Sequence, residues 1–144
     1  MTQNDMNAKE YLHYTLDFNP PMDLDIAERN LKEARQILNR LNIVFLMGSG
    51  SCLGATRNGA FMPWDDDIDI LSIVWEHGIN QELVDKAIQA FEENGFYIGR
   101  MEGKHSTSFS MIKDHIRVGW DCAVPSKGNL HIFPGVVVPV KLFE

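Results

Sequence analysis

No run of apolar residues in this chain approaches the roughly 18 that a membrane span requires. The opening stretch, MTQNDMNAKEYLHY, has neither a basic n-region nor an apolar h-region, so no signal peptide is expected. Cysteine is scarce. Cys52 and Cys122 stand alone, without metal-ligand spacing, and a reduced, cytoplasmic protein is the simplest expectation. Cys52 lies near an expected helix start, where a thiol can acidify, but no histidine is near it in sequence and a packed thiol is expected. Positive charge is also short, with 13 Lys and Arg against 20 Asp and Glu and a net charge of −7. That balance speaks against non-specific nucleic-acid binding. Histidines 13, 77, 105, 115 and 131 show no ligand spacing, and there is no internal repeat or low-complexity segment. What remains is ordinary globular composition, 44% hydrophobic and 23% charged, in 144 residues. That is enough for one domain with a real core.

The informative stretch is Pro63-Trp64-Asp65-Asp66-Asp67-Ile68-Asp69-Ile70. Its four carboxylates run directly into an apolar segment, Ile68 to Val74. In a strand Asp67 and Asp69 point to one face, and Ile68 and Ile70 to the other. Two like charges at neighbouring positions of one face need a counter-charge if the strand is partly buried. A divalent cation supplies it, and Mg²⁺ binds through one or two carboxylates together with substrate phosphates. A solvated acidic turn is the competing reading.

Upstream, Ile43 to Met47 reads as a short buried strand, Gly48-Ser49-Gly50-Ser51 as a glycine-rich turn, and Cys52 to Arg57 as a helix start. Glycine lets a backbone approach a ligand, and the free N–H groups of a helix N-terminus favour anions. A plain tight turn is the alternative for the glycines alone. Joined to the aspartates, they describe a metal–nucleotide site.

The block GSGSCLGATRNGAFMPWDDDIDI resembles the signature of the LicD/fukutin family within the nucleotidyltransferase-fold superfamily. Gly50-Ser51 matches the small-residue turn, and Gly54, Arg57, Gly59 and Pro63 to Ile70 match the continuation. The strong resemblance covers about residues 46–70 and weaker similarity extends over about 30–125. Gly48 lies outside the pattern. The resemblance implies an α/β fold, a mixed β-sheet of nucleotidyltransferase type flanked by helices. It implies a metal-dependent transferase that moves phosphocholine or a phospho-alditol from a nucleoside-diphosphate-linked donor, of CDP type, to a glycan hydroxyl. Asp67 and Asp69 would hold Mg²⁺ or Mn²⁺, and Gly50 and Ser51 would hold donor phosphates. Members of the family continue into a helical C-terminal part that helps hold the acceptor. The chain stops at Pro139-Val140-Lys141-Leu142-Phe143-Glu144, so a minimal version, a truncated chain and a partner completing the acceptor site all belong to this reading. A non-catalytic nucleotide- and metal-binding module on the same fold is the rival.

Along the chain, residues 1–22 read as a polar tail or surface arm and 23–144 as the nucleotidyltransferase-like domain. Asp23 is a good N-cap. Leu24, Ala27, Leu31, Ala34, Leu38 and Leu41 predict an amphipathic helix over 24–41 that packs on a sheet. Strand 43–47, helix 51–58 and strand 67–74 follow. Leu83, Val84, Ala87, Ile88 and Phe91 mark another helix, ended by Asn94-Gly95. Strands are expected at 96–98, 106–112, 116–124, 130–133 and 136–140, with Lys113-Asp114 turning a hairpin.

Two-metal phosphoryl chemistry needs more than one pair of ligands. Asp121 is the best third carboxylate, on the polar face of a strand whose apolar face is Ile116, Val118 and Trp120. Val118 to Pro125 resembles, more weakly, the later strand that carries this carboxylate in the family. A surface aspartate is the alternative. Arg57 fits a phosphate clamp or a helix-end arginine. Arg117 shares the Asp121 face and could pair with it or with a phosphate, as could Lys113.

Three other patterns fail. The DDxxD motif of prenyl-diphosphate enzymes belongs to long all-helical chains, whereas here the aspartates enter a β-branched segment. An EF-hand loop beginning at Asp65 demands glycine where Ile70 stands. The glycine spacing 48, 50, 54 does not fit a dinucleotide turn.

Overall fold

The computed structural model describes residues 6–17, 20–74, 80–132, 136–139 and 141. Among them the chain forms helices α1 (Ala8–Asp17), α2 (Leu24–Arg40), α3 (Ser49–Asn58) and α4 (Gln81–Glu93). The strands are β1 (Leu46–Met47), β2 (Ile68–Ile73), β3 (Tyr97–Glu102), β4 (Ser106–Lys113), β5 (Ile116–Ala123), β6 (Asn129–Ile132) and β7 (Val136–Pro139). Five strands make a mixed sheet in the order β1-β2-β5-β4-β3, and β6-β7 make a separate two-stranded sheet. Only the β2–β5 pairing is parallel in the larger sheet. No helix among the described residues is long and apolar enough to cross a membrane.

One sheet face carries the core. Ile68 and Ile70 of β2, Val118 and Trp120 of β5 and Phe109 and Met111 of β4 alternate onto it and meet Ala34, Leu38 and Phe91 from α2 and α4. Asp23 caps α2 as expected, accepting from the N–H of Asp25 and Ile26, and Asn80 caps α4, accepting from that of Leu83. Trp120 is fully buried, and its indole N–H donates to Ser72 Oγ at 3.0 Å.

Several expectations change. The tail is not plain arm: residues 8–17 are helical. Asn7 and Glu10 form a reciprocal capping box at its start, each backbone N–H donating to the other's side chain at 3.0 Å. Tyr11 and Thr15 bury its inner face. β1 is shorter than 43–47, because Val44 spends its carbonyl on the Ser72 hydroxyl at 2.7 Å and Ile43 donates back to Leu38. α3 begins at Ser49, which places Gly50-Ser51 inside its first turn. β3 runs to Glu102, since all six of its residues pair with β4. The β4–β5 turn is Asp114-His115, with φ values of 51° and 59° that suit the right-handed strand twist. Cys52 is exposed rather than packed, because α3 turns Ser51 and Gly54 inward. His77, Phe133, Pro134, Gly135 and Val140 lie outside the described residues.

Gly54 lets the chain after α3 fold back. Gly59 caps the helix in the left-handed conformation, and a Cβ at Gly54 would come within 2.5 Å of the Ala60 carbonyl oxygen. Helix propensity favours Gly54→Ala by about 1 kcal/mol, but overpacking against backbone costs roughly 1–3 kcal/mol. We expect a net loss, read as a lower urea midpoint. A raised midpoint would show that this backbone contact does not constrain α3.

Candidate active site

The site lies on the sheet face opposite α2 and α4. The parallel register of β2 and β5 builds it rung by rung. Ile68 pairs with Val118, so the preceding Asp67 stands beside Arg117; Asp69 pairs with Gly119 and Leu71 with Asp121. Gly119 leaves room for the Asp69 carboxylate, since a Cβ there would come within 3.4 Å of Asp69 Oδ1. In β4, Ser110 and Ser108 extend the Gly119 and Asp121 rungs.

α3 flanks the edge of this face. Gly48 donates its N–H to the Asp69 carbonyl at 2.9 Å, and the Asp69 N–H donates to Ser51 Oγ at 3.0 Å. Ser51 is 1% exposed, so its hydroxyl ties α3 to β2 and is turned inward. Ser49 takes φ 43°, the left-handed region. A non-glycine residue there costs on the order of 1–2 kcal/mol, a strain set at the first turn of α3.

Asp65 completes the wall. A Cβ at Gly50 would lie 3.0 Å from its Oδ2, and that oxygen is buried with no hydrogen-bond partner among the described residues. One oxygen from each of Asp65, Asp66 and Asp67 falls within 4.8 Å of the others, a spacing that could hold a cation. Asp69 and Asp121 are not in that trio. Asp69 nevertheless feels it: burial first, then the Asp67 and Asp65 charges, push its carboxyl up to about 7. Burial also raises Asp67 and Asp65, with Arg117 pulling Asp67 back. Arg117 Nη2 lies 2.8 Å from Asp67 Oδ2 and 4.0 Å from Asp66 Oδ2. One guanidinium thus faces a crowd of carboxylates. A buried oxygen without a partner and an all-oxygen donor set both fit a hard divalent cation such as Mg²⁺.

The structure therefore gathers Asp67, Asp69, Gly50 and Ser51, and places Asp121 two residues beyond Gly119 on the same face, accepting from Ser108 Oγ. It does not bring Arg57 there. Arg57 is exposed in the last turn of α3, about 9 Å along the axis from Ser51. Lys113 is drawn away to Glu33 at 2.9 Å and the Asn94 carbonyl at 2.8 Å. Sequence reasoning missed Asp65 and Asp66 as ligand candidates, although their density was visible. It missed Thr15, whose hydroxyl meets Arg117 at 3.3 Å, and nothing local in the sequence signals that contact.

The raised Asp69 carboxyl makes stability pH-dependent. Between the ordinary aspartate range and about 7 the folded state holds a proton that the unfolded chain has released. That contribution is present at low pH and lost as pH rises through about 7. Metal-free protein should therefore melt at lower temperature as pH rises from about 5 to 8, and Asp69→Asn should flatten the slope. A wild-type slope of the opposite sign would refute this reading of Asp69.

The family described as LicD/FKTN/FKRP, nucleotidyltransferase domain, matches residues 42–131, more than half of the chain. An uncharacterised protein of Rickettsia prowazekii is 32% identical over 68 residues, covering 47% of this chain and 24% of that protein. The lipopolysaccharide cholinephosphotransferase LicD of Haemophilus influenzae is 44% identical over 34 residues, covering 24% of this chain and 13% of that protein. The matches thus span about a quarter or less of these relatives' length.

Proposed function

The chain belongs to the LicD/FKTN/FKRP nucleotidyltransferase-domain family, and from that premise we propose that it is a metal-dependent phospho-substituent transferase. Its donor would be a nucleoside diphosphate linked to phosphocholine or a phospho-alditol, of CDP type, and its acceptor a glycan hydroxyl. The observation that carries this reading is the joining of α3's first turn to the aspartate strand through Ser51 and Asp69. It sets free helix N–H groups, which favour phosphate, beside carboxylates, which repel it. A cation between them reconciles the two.

Asp67 and Asp69 would hold Mg²⁺ or Mn²⁺, with Asp65 and Asp66 within reach and Asp121 as third ligand or as base for the acceptor hydroxyl. When bound, the cation would neutralise charge on the transferring phosphate. Gly50 adds no side chain of its own to the first turn of α3, which the Asp65 carboxylate approaches closely. Ser51 holds that turn against β2. Asp121 is kept in place by Ser108, on the face where an acceptor oxygen would approach. Arg57 belongs to the outer rim of this reading, where it could meet a distal donor group. The two free thiols fit a reducing compartment, and we place the protein in the cytoplasm on that ground.

The direct test is release of nucleoside monophosphate from a panel of CDP-linked donors with Mg²⁺ or Mn²⁺. Asp69→Asn should lower turnover by about 100-fold or more. A hundredfold excess of Mn²⁺ over its Kd should raise the melting temperature by about 5–10 °C, and Asp67→Asn with Asp69→Asn should abolish the shift. Neither turnover nor a metal-induced shift in the wild type would sink the proposal. Metal and nucleotide binding without turnover would favour a binding module.

Gly50→Val probes the phosphate turn separately. The side chain would cover the N–H and press on Asp65. Metal-dependent binding of a cytidine nucleotide should weaken at least tenfold by calorimetry, or about 1.4 kcal/mol. Equal binding by variant and wild type would place the nucleotide elsewhere.

A further inference from the structure

The N-terminal helix precedes the family-matched residues, yet it reaches the acidic site. Arg117 is the link. Its Nε and Nη2 both donate to Asp67 Oδ2, at 3.2 and 2.8 Å, and its Nη1 donates to Thr15 Oγ1 at 3.3 Å. Thr15 donates its own hydroxyl to the Leu12 carbonyl at 2.9 Å, which leaves an oxygen lone pair for the guanidinium. The helix is itself seated. Leu12 covers Gly99, where a Cβ would come within 2.6 Å of Leu12 Cδ2, and the buried Tyr11 ring meets His115 edge-on at 4.9 Å. The Arg117 side chain is only 15% exposed, so it is a built-in partner rather than a loose surface cation.

We propose that Arg117, held by Thr15 of α1, is a positioning residue that orients the Asp67 carboxylate for a divalent cation, an inference that rests on the metal-dependent reading above. Both guanidinium bonds to Asp67 fall on one oxygen, so neither is spent on the second. The carboxylate plane is fixed while one oxygen stays available as a ligand. Outer partners of this kind are worth about 10–100-fold in metal affinity. The opposing effect is repulsion between guanidinium and cation, and the two differ in sign.

Two measurements on the full chain test the proposal, with circular dichroism to confirm folding. The first is metal-free NMR of the Arg117 side-chain N–H groups. Slow, resolved Nη signals are expected in the wild type and averaged ones in Thr15→Val, which keeps the size of the side chain and removes the acceptor. Unchanged signals in Thr15→Val overturn the link to α1. The second is Mn²⁺ titration by calorimetry. Affinity should fall about tenfold in Arg117→Gln and several-fold in Thr15→Val. Arg117→Lys keeps the charge but not the two-pronged grip, and should resemble Arg117→Gln. Unchanged or tighter Mn²⁺ binding in Arg117→Gln overturns the proposal, since a merely competing cation gives that result. A wild type that binds no Mn²⁺ would strike instead at the metal-dependent reading, and the metal-free spectra would still judge the Thr15–Arg117–Asp67 chain.

Discussion

The parallel pairing of β2 with β5 is the constraint on which the rest of the site depends. Each rung on the open face sets a functional residue against a partner that tolerates it: Asp67 against an arginine, Asp69 against a glycine, Asp121 beside Leu71. A slip of one residue would turn Ile68 and Ile70 out of the core and bring the aspartates in. The apolar alternation that buries Trp120, Val118 and Ile70 therefore also fixes where the carboxylates stand. Core and site are the two faces of one register.

That register concentrates charge at an energetic cost. Two carboxylates about 5 Å apart repel by roughly 3 kcal/mol at an effective dielectric of about 20. Arg117 offsets part of this for Asp67 and Asp66 and only weakly for Asp69, whose carboxyl is pushed up to about 7 by burial and the neighbouring carboxylates. The Asp65 oxygen buried against Gly50 and the left-handed Ser49 add further local strain beside the same turn. Such a concentration persists only where the surrounding structure over-determines it. Here the surroundings are the core under β2 and β5, the Ser51 tether and the seated α1.

Much of this was legible in the sequence, for stated physical reasons. α2 and α4 announce themselves through apolar periodicity, α2 also through its N-cap Asp23 and α4 through its Asn94-Gly95 end. β2 does so through its apolar run after the aspartates, and β5 through alternation. The length of β1 was not legible, because it depends on Val44 meeting Ser72 from 28 residues away. α1 was hidden by polar composition, although Asn7 and Glu10 are a readable capping box. Its partner surface is Gly99, whose missing side chain has no meaning until β3 is placed beside β4. In the site, Asp67 and Asp69 followed from period two, while Arg57 was assigned by motif. The rise of α3 then sets Arg57 about 9 Å along the axis from Ser51, a separation that a motif match does not report.

The division between what chemistry needs and what positions it also explains why the site spreads so widely along the chain. The groups able to meet a cation or phosphate lie on α3, on the loop from Asp65 to Asp67, and on β2 and β5, all within the family-matched residues. A carboxylate on a loop is poorly fixed by its own backbone, and Asp67 sits just before β2 begins. Its orientation must come from a side chain on a more rigid element, which β5 supplies in Arg117. A long side chain such as Arg117 needs a second anchor to hold one rotamer, and that comes from α1, before the matched residues. The farther a group stands from the reacting atoms, the less its identity is set by the chemistry and the more by whichever element happens to pack nearby. A family signature records the first kind of residue well and the second kind poorly.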